Sequence, residues 1–142
     1  MNLVDSSAWL AYFAGEKNAD FFATPIQDAE LLIVPTVCLY EVFKVILRER
    51  GEDDAFQAVA AMQQGTVVDL TAELALEAAA VGQEERLAFA DSIIYAVARA
   101  NNAVIWTQDD HFSGKPNVRF RSKAKKPDPE GRVPRSPADN PC

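Results

Sequence analysis

The sequence predicts an α/β domain built on a mostly parallel sheet with helices on both faces. Three observations predict it. Short apolar runs without polar alternation recur along the chain, as strands buried on both faces require. Stretches of helical apolar spacing separate them, which is the order of a parallel sheet with crossover helices. The chain has 142 residues, 49% apolar and 25% charged, enough for one self-sufficient core.

The elements follow in order. Leu3-Val4 reads as a buried strand with Asp5 at its carboxyl end. A helix over residues 7–14, capped by Ser6 or Ser7, stops at Gly15. A second helical stretch over 19–29 is interrupted by Pro25, and the run 31–34 is the second strand, closed by Pro35. Thr36 opens a long helix to Arg50, with Leu39, Phe43, Ile46 and Leu47 on one face and Gly51 as its stop. A helix over 53–64 and a strand over 66–68 come next. Thr71 caps a helix over 72–81 with Leu74 and Ala78 inward and Glu73 and Glu77 outward. A further helix spans 88–100, with Ile94, Val97 and Ala98 on its apolar side. The run 103–107 is a strand followed at once by acids, and 117–121 could be a last strand.

Composition removes several function classes. The single histidine, His111, and the two cysteines, Cys38 and Cys142, cannot build a two-histidine zinc site, a Cys/His finger or a disulfide framework. Neither GxGxxG nor GxxxxGK[ST] occurs. Apolar runs are broken by charge well short of a membrane span, and no basic-then-apolar leader opens the chain, so a cytoplasmic protein is expected. The net charge of −7 is uneven. Residues 119–142 carry seven basic groups against three acids, leaving 7 basic and 18 acidic groups in the remainder. From 122 the chain is rich in Pro and Lys and poor in apolar residues, which predicts a disordered basic tail after a domain spanning 1–121.

Four acids stand out. Asp5 ends the first strand, and Glu41 lies in the most apolar run of the chain. Asp91 is framed by Phe89, Ala90, Ile93 and Ile94, and Asp109 follows the strand that ends at Thr107. Each has a plain alternative: an N-cap for Asp5, a solvated helix face for Glu41, the positive end of a helix for Asp91, and a turn cap for Asp109. Taken together they fit those roles less well. Carboxylates in apolar runs are costly unless paired or metal-bound, and apart from Lys44 after Glu41 no Lys or Arg lies within three positions of them. A shared cation held by oxygen ligands answers this, and such ligation selects Mg²⁺ or Mn²⁺.

These segments resemble a known family. Val4-Asp5-Ser6-Ser7-Ala8-Trp9, Tyr40-Glu41-Val42, Ala90-Asp91-Ser92-Ile93-Ile94-Tyr95-Ala96 and Thr107-Gln108-Asp109-Asp110-His111-Phe112 are similar to the four acidic motifs of PIN-domain nucleases, in particular the VapC toxins of toxin–antitoxin pairs. The resemblance covers residue 2 to about residue 121 and implies a PIN-like three-layer sandwich. It makes Asp5, Glu41, Asp91 and Asp109 the catalytic acids, with Asp5, Asp91 and Asp109 as ligands of Mg²⁺ or Mn²⁺. Ser6 and Thr107 become supporting residues. It also implies endonucleolytic RNA cleavage, a homodimer, and a small VapB-like antitoxin as partner. The tail lies outside the pattern. A PIN nuclease of RNA processing that is not a toxin is the alternative; a neighbouring antitoxin gene separates the two.

Further expectations follow from the residues. Asp110 and His111 should be dispensable, since nothing in the sequence pairs with the lone histidine. Cations for RNA are few in the acidic body, chiefly Lys44, Arg48, Arg86, Arg99 and Lys115. The apolar residues Trp9, Leu10, Tyr12 and Phe13 point around the first helix, so with Phe21 and Phe22 they form either a deeper core or an interface, and the resemblance implies that the interface grips the antitoxin.

Overall fold

A computed structural model describes residues 1–123; the tail expected from 122 lies outside the described residues from position 124 on. The elements are β1 (Asn2–Val4), α1 (Ser6–Phe13), α2 (Ala19–Ile26), a 3-10 turn (Ala29–Leu31), β2 (Leu32–Pro35), α3 (Thr36–Arg50), α4 (Glu52–Met62), β3 (Thr66–Val68), α5 (Ala72–Glu85), α6 (Phe89–Ala100), β4 (Val104–Thr107), a second 3-10 turn (Asp110–Phe112) and β5 (Val118–Phe120). The five strands form one sheet in the order β3-β2-β1-β4-β5, and every pairing is parallel. This is the predicted α/β architecture. Leu3 and Val4 are neighbours on β1 and both are fully buried, as are all four residues of β2. Successive strand side chains point to opposite faces, so helices must cover both.

The strand order places the site. From β1 the chain moves outward through β2 to β3, then crosses back to β4 and on to β5. The direction reverses between β1 and β4, and ligands of open parallel sheets bind at the carboxyl ends of the strands at such a reversal. Asp5 follows β1 there and Asp109 follows β4.

Local details depart from the sequence expectations where tertiary contacts decide. The cap of α1 is Asp5 rather than Ser6 or Ser7: its Oδ1 accepts from the Ala8 amide at 2.9 Å. The second helix ends at Ile26 because Pro25 lies near its end, and a 3-10 turn leads into β2. The α5 helix runs four residues beyond its expected end, to an Arg86 cap in the left-handed region at φ 57°. On α3 the buried stripe is Cys38, Val42 and Ile46, while Leu47 is exposed, because the helix packs between α1, α4, α6 and β2. Gly51, at φ +96°, makes the corner from α3 into α4, a conformation that L side chains rarely adopt.

The fold takes up part of the expected apolar surplus on α1. Trp9 and Phe22 are fully buried, and Leu10, Phe13 and Phe21 pack partly buried against the core. The physical reason is that α1 meets α2, α3 and β4, while Leu10, Tyr12 and Phe13 keep part of their surface outside those contacts. Large exposed apolar side chains lie elsewhere, among them Tyr40 and Leu47 on α3, Phe56 on α4, Leu76 on α5 and Phe89 on α6. Among the described residues no helix is long and apolar enough to cross a membrane.

Candidate active site

The site is built on the carboxyl ends of β1 and β4, with α3 and α6 supplying one acid each. Asp5 is buried and fully engaged. Its Oδ1 accepts from the Ala8 amide at 2.9 Å and from the Ser7 hydroxyl at 2.8 Å, and its Oδ2 accepts from the Thr107 hydroxyl at 2.5 Å. Thr107 is itself fully buried, and its Oγ1 accepts the Asp109 amide at 2.8 Å. One hydroxyl therefore ties the first acid to the backbone of the fourth. Glu41, in the second turn of α3, accepts from the Ser6 hydroxyl at 2.6 Å. Ser6 and Thr107, the expected supporting residues, each donate a hydrogen bond to one of the four acids.

Asp91 and Asp109 converge on a third side chain. His111 Nδ1 lies 2.8 Å from Asp91 Oδ2 and 3.1 Å from Asp109 Oδ1. Asp109 also caps the 3-10 turn by accepting the His111 amide at 2.9 Å. Donor atoms of Asp91, Asp109 and His111 all lie within 4.8 Å of one another. The expectation that nothing pairs with His111 is overturned. The turn capped by Asp109 folds the ring back over the carboxylates, and only the approach of α6 brings Asp91, 20 residues away in sequence, to meet it. A histidine two residues after an acid that caps its own turn was the available signal. Asp5 and Glu41 sit outside this three-residue group, and Asp110 is exposed beside it.

The electrostatics follow from burial and crowding. Burial pushes the Asp5 carboxyl up to about 6, against the opposing hydrogen bonds from Thr107, Ala8 and Ser7, and the charge of Asp109 adds to the rise. Asp91 is raised, first by burial; the His111 hydrogen bond opposes this and Asp109 reinforces it. His111 is raised by its hydrogen bond to Asp91 and by the charges of Asp109 and Asp91. Cys38 lies under the site with its Sγ 4.0 Å from the Val4 carbonyl, and burial pushes its thiol up. A buried, protonated thiol is a packing residue rather than a nucleophile.

The cations beside the site differ from those expected. Lys115 is paired with Glu85 at 2.9 Å, and Arg48 with Glu49 at 3.6 Å. A cleft of about 750 Å³ next to Asp109 is lined instead by Lys17, Arg121 and Lys123, together with Asn18, Gln108, Asp110 and Ser122. Asn18 is buried and shapes its wall, with Nδ2 donating to the Ser122 carbonyl at 2.9 Å and to Gln108 Oε1 at 3.2 Å. The Arg121 guanidinium lies 4.3 Å from the centre of the Phe21 ring. These residues come from three separate segments, so sequence order gave no sign of the cluster.

Comparison with known proteins agrees with this geometry. Residues 3–117 match the PIN domain, and the chain belongs to the PIN-domain family. No curated protein sequence matches it. Among solved structures it is similar to a toxin–antitoxin complex from Klebsiella pneumoniae, with TM-score 0.70, 20% identity, and coverage of 83% of this chain and 95% of that one. It is also similar to Mycobacterium tuberculosis VapC20, described as a sarcin–ricin loop cleaving toxin, with TM-score 0.67, 22% identity, and 82% and 95% coverage. A third is VapBC2 from Rickettsia felis, bound to a DNA fragment from its promoter, with TM-score 0.66, 11% identity, and 87% and 98% coverage.

Proposed function

We propose that this chain is a divalent-metal-dependent endoribonuclease that acts as the toxin of a VapBC-type toxin–antitoxin pair. The observation that carries the reading is the convergence of Asp91, Asp109 and His111 at the sheet's topological reversal, with Asp5 tied to the Asp109 backbone through Thr107. The donor set suits a small divalent cation. Two carboxylates approach each other with no Lys or Arg within 4.0 Å among the described residues, so a bound ion relieves their repulsion.

Asp91 and Asp109 are the residues that would hold the ion, with Asp5 behind them. When bound, such an ion neutralises charge on the phosphodiester and makes water acidic enough to attack at neutral pH. Thr107 orients Asp5 and fixes the start of the Asp109 turn. Ser6 aims the Glu41 carboxylate. Lys17, Arg121 and Lys123 line a cleft that suits the phosphates of an RNA strand leaving the site, and the sequence continues with Lys125 and Lys126.

The toxin role draws on the structural neighbours, which include a toxin–antitoxin complex and an RNA-cleaving toxin. A small antitoxin partner, a homodimer and a cytoplasmic setting belong to the same reading. Expression alone should arrest growth, and co-expression of the adjacent small open reading frame should relieve it. Growth unaffected by the intact chain would sink the toxin role. Light scattering of the purified chain tests the dimer.

A further inference from the structure

His111 is the one donor of the Asp91–Asp109–His111 group that is not a carboxylate. Its Nδ1 stands 2.8 Å from Asp91 Oδ2 and 3.1 Å from Asp109 Oδ1. An octahedral ion with bonds of about 2.0–2.1 Å holds neighbouring ligand atoms about 2.9 Å apart, which is √2 times the bond length. The imidazole nitrogen therefore already sits at ligand-to-ligand spacing from both carboxylates. The backbone keeps it there, because the Asp109 carboxylate accepts the His111 amide at 2.9 Å and so fixes the turn that carries the ring. The ring is largely solvent-exposed, so small adjustments toward an ion meet little packing resistance.

We infer that His111, through Nδ1, is a ligand of the metal centre alongside Asp91 and Asp109, and that it makes the centre prefer Mn²⁺ or another first-row transition ion to Mg²⁺. The inference rests on reading the site as a metal centre. Mg²⁺ is bound by oxygen and gives up its waters reluctantly, whereas an imidazole nitrogen suits transition ions. To hold an ion, Nδ1 would be unprotonated, with the ring hydrogen on Nε2. The role is that of a ligand, distinct from general acid–base catalysis.

The test uses the untagged, metal-free full chain, with Mn²⁺ alone as probe and no RNA present. His111 is the only histidine in the sequence, so imidazole nitrogen coupling to bound Mn²⁺ can come from no other side chain. Pulsed electron paramagnetic resonance should show ¹⁴N modulation from directly bound imidazole in the parent and none in His111→Ala. Loss of the ligand should weaken Mn²⁺ binding roughly tenfold or more. Mg²⁺ affinity, read by competition, should change much less, so the Mn²⁺ to Mg²⁺ preference should collapse. A melting curve in EDTA checks that the variant is folded. Mn²⁺ bound without nitrogen modulation, or an unchanged preference in His111→Ala, would overturn the His111 assignment and leave the carboxylate centre standing. No Mn²⁺ binding by the parent at all would overturn both.

Discussion

The Thr107 hydroxyl donates to Asp5 Oδ2 at 2.5 Å across 102 positions of sequence, and the same oxygen accepts the amide of Asp109 at 2.8 Å. The two strands that flank the sheet's reversal are thereby joined at their carboxyl ends by one buried side chain. This bridge fixes the distance between the two acids that follow those strands.

Replacing Thr107 by Val keeps its shape and removes both bonds. The buried Asp5 oxygen and the Asp109 amide each lose a partner, so the chain should lose about 1–3 kcal/mol of stability. Urea unfolding reads this, and RNA cleavage should fall with it. Thr107→Ser, which keeps the hydroxyl, should recover most of both. Equal loss in Ser and Val would show that packing rather than the bridge matters.

Asp5 gives a pH prediction with a definite sign. Its folded value of about 6 lies above the ordinary aspartate value of 3.8, so folding favours the neutral form. Stability from this group is complete below about pH 4 and is lost as pH rises through about 6. Asp5→Asn, neutral throughout, should therefore unfold at higher urea than the parent at pH 7.5 in EDTA, by about 2–3 kcal/mol. The advantage should vanish near pH 4, and cleavage should be lost. A constant difference across that range would mean that burial does not raise Asp5.

Ser6→Ala removes the bond that aims Glu41. Residues that orient a working carboxylate commonly change activity by roughly 10- to 100-fold when removed. Stability should move by less than about 1 kcal/mol, because Glu41 is partly exposed and turns to water. Steady-state cleavage and thermal melting together separate the two effects, and unchanged cleavage would place Glu41 outside the working site.

The α5–α6 contact is testable at Gly82. A Cβ there would stand 2.9 Å from the Ser92 Cβ, closer than real Cβ atoms approach. Gly82→Ala should cost about 1–3 kcal/mol despite its better helix propensity. Adding Ser92→Gly removes the facing atom, and a double-mutant cycle should show that the two changes offset each other in part. Strict additivity would mean that the helices adjust freely.

Much of the fold was legible because local signals agreed with tertiary demands. Pro35 and Gly51 frame α3 at its expected bounds, and Thr71 caps α5 through the Leu74 amide at 3.1 Å. Signals failed where packing chose among local options. Asp5 caps α1 ahead of two serines because the position that ends β1 also faces the free amides of the next helix. Leu47 has the spacing of a core residue but faces out, while Cys38 faces in, because α3 has several helix neighbours. Asp91 stood out in the sequence by its apolar framing and Asp109 by following a strand. That Asp91 and Asp109 both meet His111 Nδ1 was not legible, since the meeting depends on where α6 brings Asp91.

The proposed activity is a metal-dependent cut in RNA that the carboxylates serve. Its most direct test is cleavage of a structured RNA by the purified full chain with Mg²⁺ or Mn²⁺, set beside Asp91→Asn, which keeps the shape of the side chain and removes its charge. Internal cleavage by the parent, abolished by EDTA and largely lost in Asp91→Asn, is the predicted result. Cleavage by the parent undiminished in EDTA, or by Asp91→Asn at the parental rate, would contradict it.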